Sequence, residues 1–600
     1  MSMVFSGSRI RSALIVVGLF LLSTTGSATE PAPLQQLFSL IDDTPGADAE
    51  YRNCQQFQSV ATLGSKTFIC DFTAQTSWPG IATDYVSPAS GSGAWTQKVI
   101  VTAPTRLGLA SSDYFYLGAG GDDIDLYIAI FHDMLAQLIT LPPFSSSAAN
   151  IDSMLNSGCS QVPSQELCIT ANLASLLSFA GNVPTITQLD VPPEPMEVKS
   201  PINGQYYSRS EDDLVADSMM YPATNLASTE DYMDYIVLFP MASSIVHGME
   251  AGIASLGKIG PLSGLPQINQ YVLSGASKRG WTLYLALAYD HNFKHMVKAA
   301  IPIVMPFDLP AVLAAIHRDY YFPSEYNGWS DDLQDFEQDR KYGTGDRNIL
   351  DNLVNGTLGA LDRQMDIGPY LAGYSSFLQG FPILEVAALH DSYFTPDAPQ
   401  VMMSDFWLNN YDTYATLLIL PNIGHGNIPP SAYPGLVPSA LQIVGFIVDV
   451  TGIEGNILGY APQSTYANLF EAELYQQSAG GTFFIETSVK PAVVENNASE
   501  VNYRCAYAEQ PTDLLDTTKT QYSEAQYFND VEFTQPDFLT WRWFPAMNTL
   551  LQQMQGCGGN VSAPYLAFFL GVTFPEGADG KLIGTHYRNS PIYVVSNPRR

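Results

Sequence analysis

At 600 residues the chain exceeds what one hydrophobic core normally supports, so two domains or one heavily decorated domain are expected. With 46% hydrophobic, 12% aromatic and only 14% charged residues, it has ample apolar material for a core and no signature of general disorder. Its formal charge of −33, from 59 acidic against 26 basic side chains, repels nucleic-acid phosphates and anionic lipid and makes both poor partners.

The chain opens with the order of a secretory signal, assigned to residues 1–28. Arg9 and Arg11 precede an apolar run from Ala13 to Leu22, and small residues follow through Ser27 and Ala28. The run is shorter than the about 20 apolar residues a membrane span needs, and no later segment is long and charge-free enough to cross a bilayer. A secreted protein, extracellular or periplasmic, is expected, with no membrane span after cleavage; an uncleaved anchor is the competing reading. Six cysteines fit an oxidising compartment, and local pairing would give Cys54–Cys70, Cys159–Cys168 and Cys505–Cys557. None of these pairs has zinc-finger spacing, so no metal is expected.

From about residue 95 to 450, short β-branched runs alternate with longer amphipathic stretches. The predicted strands are Gln97–Thr102, Tyr114–Leu117, Thr185–Val191, Gln270–Leu273, Val297–Val304, Phe381–Leu389 and Thr416–Leu420. The predicted helices between them run from Ile124 to Ile139, Met241 to Leu256 and Lys278 to Tyr289. Apolar strands separated by helices indicate an α/β fold, a mostly parallel sheet covered on both faces. Two interruptions stand out, at about 141–180 with Ser-rich turns, two cysteines and a second helical stretch, and at 308–375, rich in Tyr, Trp and acids. The second either caps a site at the strand ends or decorates the surface. After about residue 462, alternating runs such as Thr482–Val489 and Tyr565–Val572 indicate a smaller C-terminal all-β domain, sandwich-like, over 462–600. The remainder, 29–461, is assigned to the α/β domain.

The sharpest local signal is Leu273-Ser-Gly-Ala-Ser-Lys-Arg-Gly280, where a strand ends and a helix begins with Ser277 at the junction. A nucleophile elbow needs a small residue two positions before its serine, because the turn is tight, and Gly275 supplies it. The G-x-S-x-G pattern is broken by Arg279, with Gly280 one residue later. A serine hydroxyl needs a base and a group to orient that base. In an α/β-hydrolase the chain order is Ser, acid, His, each after a strand. Asp391 directly follows the strand ending at Leu389, with Asp397 as the alternative acid. His425 follows the strand ending at Leu420 in a Gly-flanked loop. The oxyanion donors are expected to be the backbone N–H of Lys278 and the loop Leu117-Gly-Ala-Gly-Gly-Asp122, with Gly120 and Gly121 as candidates. His291 and His295 are four apart on a helix but lack a third ligand, and read as a solvated helix terminus.

Several motifs in this order resemble the PhoPQ-activated pathogenicity-related proteins, whose eukaryotic branch includes autocrine proliferation repressors. They are Arg209-Ser-Glu-Asp-Asp213, Gly275-Ala-Ser-Lys-Arg-Gly-Trp281, Val297-Lys-Ala-Ala-Ile-Pro302 and Gly328-Trp-Ser330. His390-Asp-Ser-Tyr-Phe-Thr-Pro-Asp397, Pro421-Asn-Ile-Gly-His425 and Ala567–Phe574 complete the set. The resemblance implies an exported α/β-hydrolase core with a β-rich C-terminal region, and a Ser-Lys-Arg-Gly elbow as a family feature. This chain departs in the cysteines at 159 and 168 and in His390, where the family more often has Asn.

Two functions follow. One is a secreted serine hydrolase working through an acyl-enzyme on Ser277, without cofactor, on a small-molecule ester or a peptide. For a peptide, Glu211 and Asp212, with Asp213, would bind the substrate ammonium if a loop brings them over the site, although an acidic helix N-terminus is the simpler reading. The alternative is a secreted signalling protein, proliferation-repressor-like, that uses the hydrolase scaffold to bind a cell-surface partner.

Overall fold

The computed structural model describes most of residues 32–305, then 381–391, 415–420, 422–425 and 436–452, and the strands with short flanking pieces between 470 and 596. The signal segment and the 308–375 insertion lie outside the described residues, as do Gly121, Glu211, Asp212, Asp213 and Asp397.

In chain order the α/β part contains α1 (Ala32–Asp43), β1 (Arg52–Phe57), β2 (Ser65–Gln75), β3 (Trp95–Pro104) and β4 (Tyr114–Gly118). There follow α2 (Asp123–Leu138), α3 (Ile151–Leu155), α4 (Gln165–Gly181), β5 (Thr185–Gln188) and a hairpin of β6 (Met196–Lys199) and β7 (Tyr206–Arg209). Then come α5 (Leu238–Ser255), β8 (Tyr271–Ala276), α6 (Lys278–Phe293), β9 (Val297–Ile303), β10 (Ile383–Ala388), β11 (Ala415–Leu420) and α7 (Val437–Thr451).

Nine of these strands form one sheet in the order β1-β2-β3-β5-β4-β8-β9-β10-β11. The β1–β2, β2–β3 and β3–β5 pairs are antiparallel, and every pair from β5 through β11 is parallel. Parallel strands need crossovers that leave helices on the faces. One face is covered by α1, α5 and α6, the other by α2, α4 and α7. The central strand β8 is buried at all six positions, which is why its sequence is a continuous run rather than an alternating one.

The direction of winding reverses beside β8. From β4 the chain crosses to β5 on one side, then returns to β8 on the other. The loops leaving the C-terminal ends of β4 and β8 therefore diverge, and a crevice opens between them, where ligands of open α/β sheets bind. In-register pairing brings Gly118 opposite Gly275, Ala276 opposite Ile303 and Ala388 opposite Leu420, so β4, β8, β9, β10 and β11 end along one rim. Strand order, helix placement and this rim define the α/β-hydrolase fold.

Two features were not visible as such in the sequence. Strands β1 and β2 extend the sheet on its antiparallel side, and β1 reads Arg-Asn-Cys-Gln-Gln-Phe because it is an edge strand with most positions in solvent. The stretch 141–180, expected as an insertion, contributes α4 to the core. Leu167, Cys168, Ala171 and Leu176 of α4 are buried among the residues that cover β2, β3 and β5. Helix α4 begins at Ser164, whose hydroxyl accepts from the Leu167 amide, and ends at Asn182 in the left-handed conformation.

Disulfides join Cys54 of β1 to Cys70 of β2, and Cys159 to Cys168 at the start of α4. Cys505 lies in a C-terminal strand, and its expected partner Cys557 is outside the described residues.

The C-terminal strands are β12 (Phe470–Gln477), β13 (Thr482–Val489), β14 (Glu500–Ala508), β15 (Gln526–Tyr527), β16 (Thr540–Arg542), β17 (Tyr565–Phe574), β18 (His586–Asn589) and β19 (Tyr593–Ser596). They form two antiparallel sheets, β12-β13-β16 and a five-stranded sheet centred on β17. Ala506, Ala508 and Ala567 of the second sheet pack with Ala387 of β10, Leu389 just past its end and Ile419 of β11. Small side chains on one partner let the two sheets approach closely there. Among the described residues no helix is long and apolar enough to cross a membrane.

Candidate active site

Ser277 stands between the last residue of β8 and the first of α6, with φ 53° and ψ −130°. An L-residue with a side chain rarely adopts this conformation, and it costs roughly 1–3 kcal/mol. The strain is held by the surroundings. The Ser277 amide donates to Ile303 O at 2.9 Å, and its carbonyl accepts from the Trp281 amide at 3.1 Å. Two glycines make the bend sterically possible. A Cβ on Gly275 would meet the Arg279 carbonyl oxygen and carbon at 2.7 and 2.8 Å. A Cβ on Gly280 would meet Met305 at 2.8 Å and the Gly275 oxygen at 3.0 Å. Position 279 bears no such restriction, so the second glycine of the elbow falls one residue later than in G-x-S-x-G.

Asp391 lies three residues past the end of β10 and His425 five past the end of β11. Backbone bonds lock their loops together. Leu389 N–H donates to Leu420 O at 3.0 Å, and His390 N–H to Ile423 O at 2.9 Å. Across that junction His425 Nδ1 lies 2.8 Å from Asp391 Oδ2, and His425 Nε2 lies 2.8 Å from Ser277 Oγ. A carboxylate only accepts, so Nδ1 carries the proton and donates to Asp391. The neutral ring then leaves Nε2 as the acceptor for the Ser277 hydroxyl. Asp391 is fully buried, and the His425 side chain retains 13% exposure.

The electrostatics around the elbow come from charges that sequence reading did not single out. The Lys278 side chain is buried and pairs with Glu194 Oε1 at 3.3 Å. Burial and the neighbouring Arg279 charge hold its ammonium down to about 8, against the pull of Glu194. Arg279 is only 1% exposed, and its Nη1 donates to Asp123 Oδ2 at 2.6 Å. Burial pushes the Asp123 carboxyl up, partly offset by that guanidinium. Asp190, on the loop after β5, is pushed up to about 6, chiefly by burial. In the sequence Asp123 reads only as an acidic residue opening a helix, and nothing shows that Arg279 turns inward. The one available signal is the pair Lys278-Arg279 itself, two cations in the first turn of a helix, where the dipole disfavours them unless acids lie close by.

Of the residues expected at the site, Ser277, Asp391 and His425 come together, and Lys278 begins α6 with its amide at the helix N-terminus, where intrahelical partners are lacking. Gly120 lies beside Arg279: a Cβ there would be 2.5 Å from Nη2. Gly121, Glu211 and Asp212 fall outside the described residues, although Arg209, just before the acidic run, pairs with Asp217 at 2.7 Å. His291 and His295 meet edge to face at the end of α6 with ring centroids 5.8 Å apart. Among the described residues, no three His, Cys, Asp or Glu side chains cluster to hold a metal ion.

The sheet order and the position of the bend at Ser277 give this chain the α/β-hydrolase fold. More narrowly, the chain belongs to the PhoPQ-activated pathogenicity-related protein family, whose model matches residues 139–444. It is similar to autocrine proliferation repressor protein A of Dictyostelium discoideum, with 32% identity over 225 residues. That match spans 37% of this chain and 38% of the relative. Among solved structures it resembles acetyl xylan esterase 1 from Thermoanaerobacterium sp. JW/SL YS485, at 10% identity and a TM-score of 0.35, covering 69% of this chain and 96% of that one. It also resembles a Mycobacterium tuberculosis puromycin-hydrolyzing peptidase, at 12% identity and a TM-score of 0.30, covering 60% of this chain and 38% of that one.

Proposed function

We propose that this protein is a secreted serine hydrolase in which Ser277 is the nucleophile, His425 the general base and Asp391 the group that orients the imidazole and balances its charge. The observation that carries this reading is the pair of 2.8 Å contacts from one imidazole, to Ser277 Oγ and to Asp391 Oδ2. With Nδ1–H held by Asp391, Nε2 takes the hydroxyl proton as Oγ attacks the substrate carbonyl. The same proton passes to the leaving alcohol or amine, releasing it and leaving an acyl group on Ser277. Water, deprotonated in turn by His425, then attacks the acyl carbon, and the returning proton restores the serine. The Lys278 amide and the backbone near Gly120 and Gly121 are the donors for the oxyanion.

An ester or peptide substrate suits this chemistry, because both present a carbonyl carbon with a leaving group that the imidazolium can protonate. Two disulfides support export to an oxidising compartment. The same reading divides the chain near residue 461 into a hydrolase domain and a β-rich C-terminal domain. Glu211 and Asp212 remain the candidates for a peptide ammonium. A second reading, signalling through a cell-surface partner without turnover, rests on the name of the Dictyostelium relative.

Hydrolysis of short-chain p-nitrophenyl esters by the mature protein separates the two. Ser277→Ala should lower kcat by roughly 10⁴–10⁶, and wild-type activity should fall as the pH is lowered and the imidazole is protonated. Equal turnover by wild type and Ser277→Ala would remove Ser277 as nucleophile. A flat profile between about pH 5 and 8 would remove His425 as base.

A further inference from the structure

The residue in the elbow that departs from the usual glycine is itself buried and paired. Arg279 extends from the first turn of α6 against the loop that leaves β4. Its Nη1 holds Asp123, the first residue of α2, at 2.6 Å. Its guanidinium lies against Gly120, so closely that a Cβ at 120 would stand 2.5 Å from Nη2, 3.1 Å from Cζ and 3.4 Å from Nε. Glycine at 120 is therefore the residue that lets backbone and guanidinium meet. Asp190 and Glu194, both on the loop after β5, add favourable charge to the same guanidinium. Glu194 in turn holds Lys278, the residue after the nucleophile. Five charged groups from three segments thus meet beside the serine, with the guanidinium at their centre.

We propose that Arg279 is a positioning residue for catalysis: it clamps the β4–α2 loop against the elbow, setting the backbone around Gly120 at a fixed distance from Ser277 so that this loop can serve the oxyanion. The proposal rests on the hydrolase reading of the site. Its physical logic is that oxyanion donors accelerate acyl transfer only when preorganised, so the support that fixes them acts on the transition state and not on the bound substrate. A buried guanidinium suits the task because it is always charged and donates along fixed directions. Lysine would keep the charge but cannot cover Gly120 with a flat face while also holding Asp123.

The experiment compares wild type, Arg279→Lys and Asp123→Asn, each checked for native far-UV and near-UV circular dichroism. Three quantities are measured: kcat and KM on a p-nitrophenyl ester, the pH dependence of kcat, and the affinity for an alkylboronic acid, which forms a tetrahedral adduct on the serine. The expected result for Arg279→Lys is a fall in kcat of roughly 10²–10³, the loss typical of one oxyanion donor. KM should stay within about threefold, the pH profile should not move, and boronate affinity should fall in parallel with kcat. Asp123→Asn should lower kcat and boronate affinity in the same way but more weakly, and its pH profile is not used for the comparison because the Asp123 carboxyl also feels the His425 charge. A folded Arg279→Lys variant with kcat and boronate affinity near wild type would overturn the proposal while leaving the hydrolase reading intact. Failure of both variants to fold would also overturn it, making the pair a determinant of folding alone. A wild-type protein that neither turns over ester nor binds boronate would overturn the hydrolase reading and this inference with it.

Discussion

Gly280 faces the carbonyl oxygen of Gly275 across the elbow, at a separation that would leave an added Cβ only 3.0 Å from that oxygen. The two glycines are a matched pair, one on each limb of the same bend, and they explain why the motif in this chain is G-x-S-x-x-G. The sequence pattern is broken at Arg279, yet the steric requirement is met one residue further on.

Replacement of either glycine by alanine should therefore be costly. Gly280→Ala forces Met305 aside and should destabilise by about 1–3 kcal/mol. Gly275→Ala meets backbone, which cannot give way as a side chain can, and should cost more and abolish turnover. Gly264→Ala is the control: its added Cβ meets nothing within 4 Å, and its effect should stay within about 0.5 kcal/mol. Urea denaturation of the three variants measures the difference, and equal midpoints for all three would show that the bend is not tight.

The strained conformation of Ser277 leads to a second expectation. At φ 53° and ψ −130°, glycine is far better suited than serine. Ser277→Gly should be inactive but more stable, by roughly 1 kcal/mol after the greater unfolded-state entropy of glycine is deducted. Chemical denaturation with the slope held common provides the test. A less stable glycine variant would mean that Ser277 is held by its contacts without stored strain.

Glu385 predicts how stability depends on pH. It is buried in β10, accepts from the Tyr284 hydroxyl at 3.0 Å, and burial pushes its carboxyl from 4.5 up to about 8. Because the folded-state value is raised, the folded protein holds a proton there that the unfolded chain has already lost. Stability attributable to this group is full below about 4.5, declines as the pH rises towards about 8, and levels off above it. Glu385→Gln keeps a neutral partner for Tyr284 and should flatten that part of the profile. Melting temperatures of the two proteins across this range check it, and parallel curves would show that Glu385 is ionised without penalty.

Much of this architecture could be read from the residues, for reasons that differ between elements. Strand β8 announces itself because a strand buried on both faces shows no polar alternation, with Ser274 donating its hydroxyl to Ile301 O. Asp391 and His425 were legible from their places just after strands, since the fold brings the C-terminal ends of parallel strands to one rim. Strand β1 was not, because an edge strand keeps most of its side chains in water and so carries a polar sequence. Helix α4 reads as an insertion because its Ser-rich approach and paired cysteines resemble a surface excursion, although its own face is apolar. The Arg279–Asp123 pair was out of reach: its members are 156 residues apart, and a charged residue gives no sign in sequence that it is buried.

Covalent labelling by a fluorophosphonate, with the modified residue located by peptide mass spectrometry, probes the central assignment most directly. The predicted outcome is a single adduct on the Ser277 side chain of folded protein, formed much more slowly when His425 is replaced by alanine and absent from Ser277→Ala. An adduct on a different residue, or no adduct on protein that is demonstrably native, would contradict it.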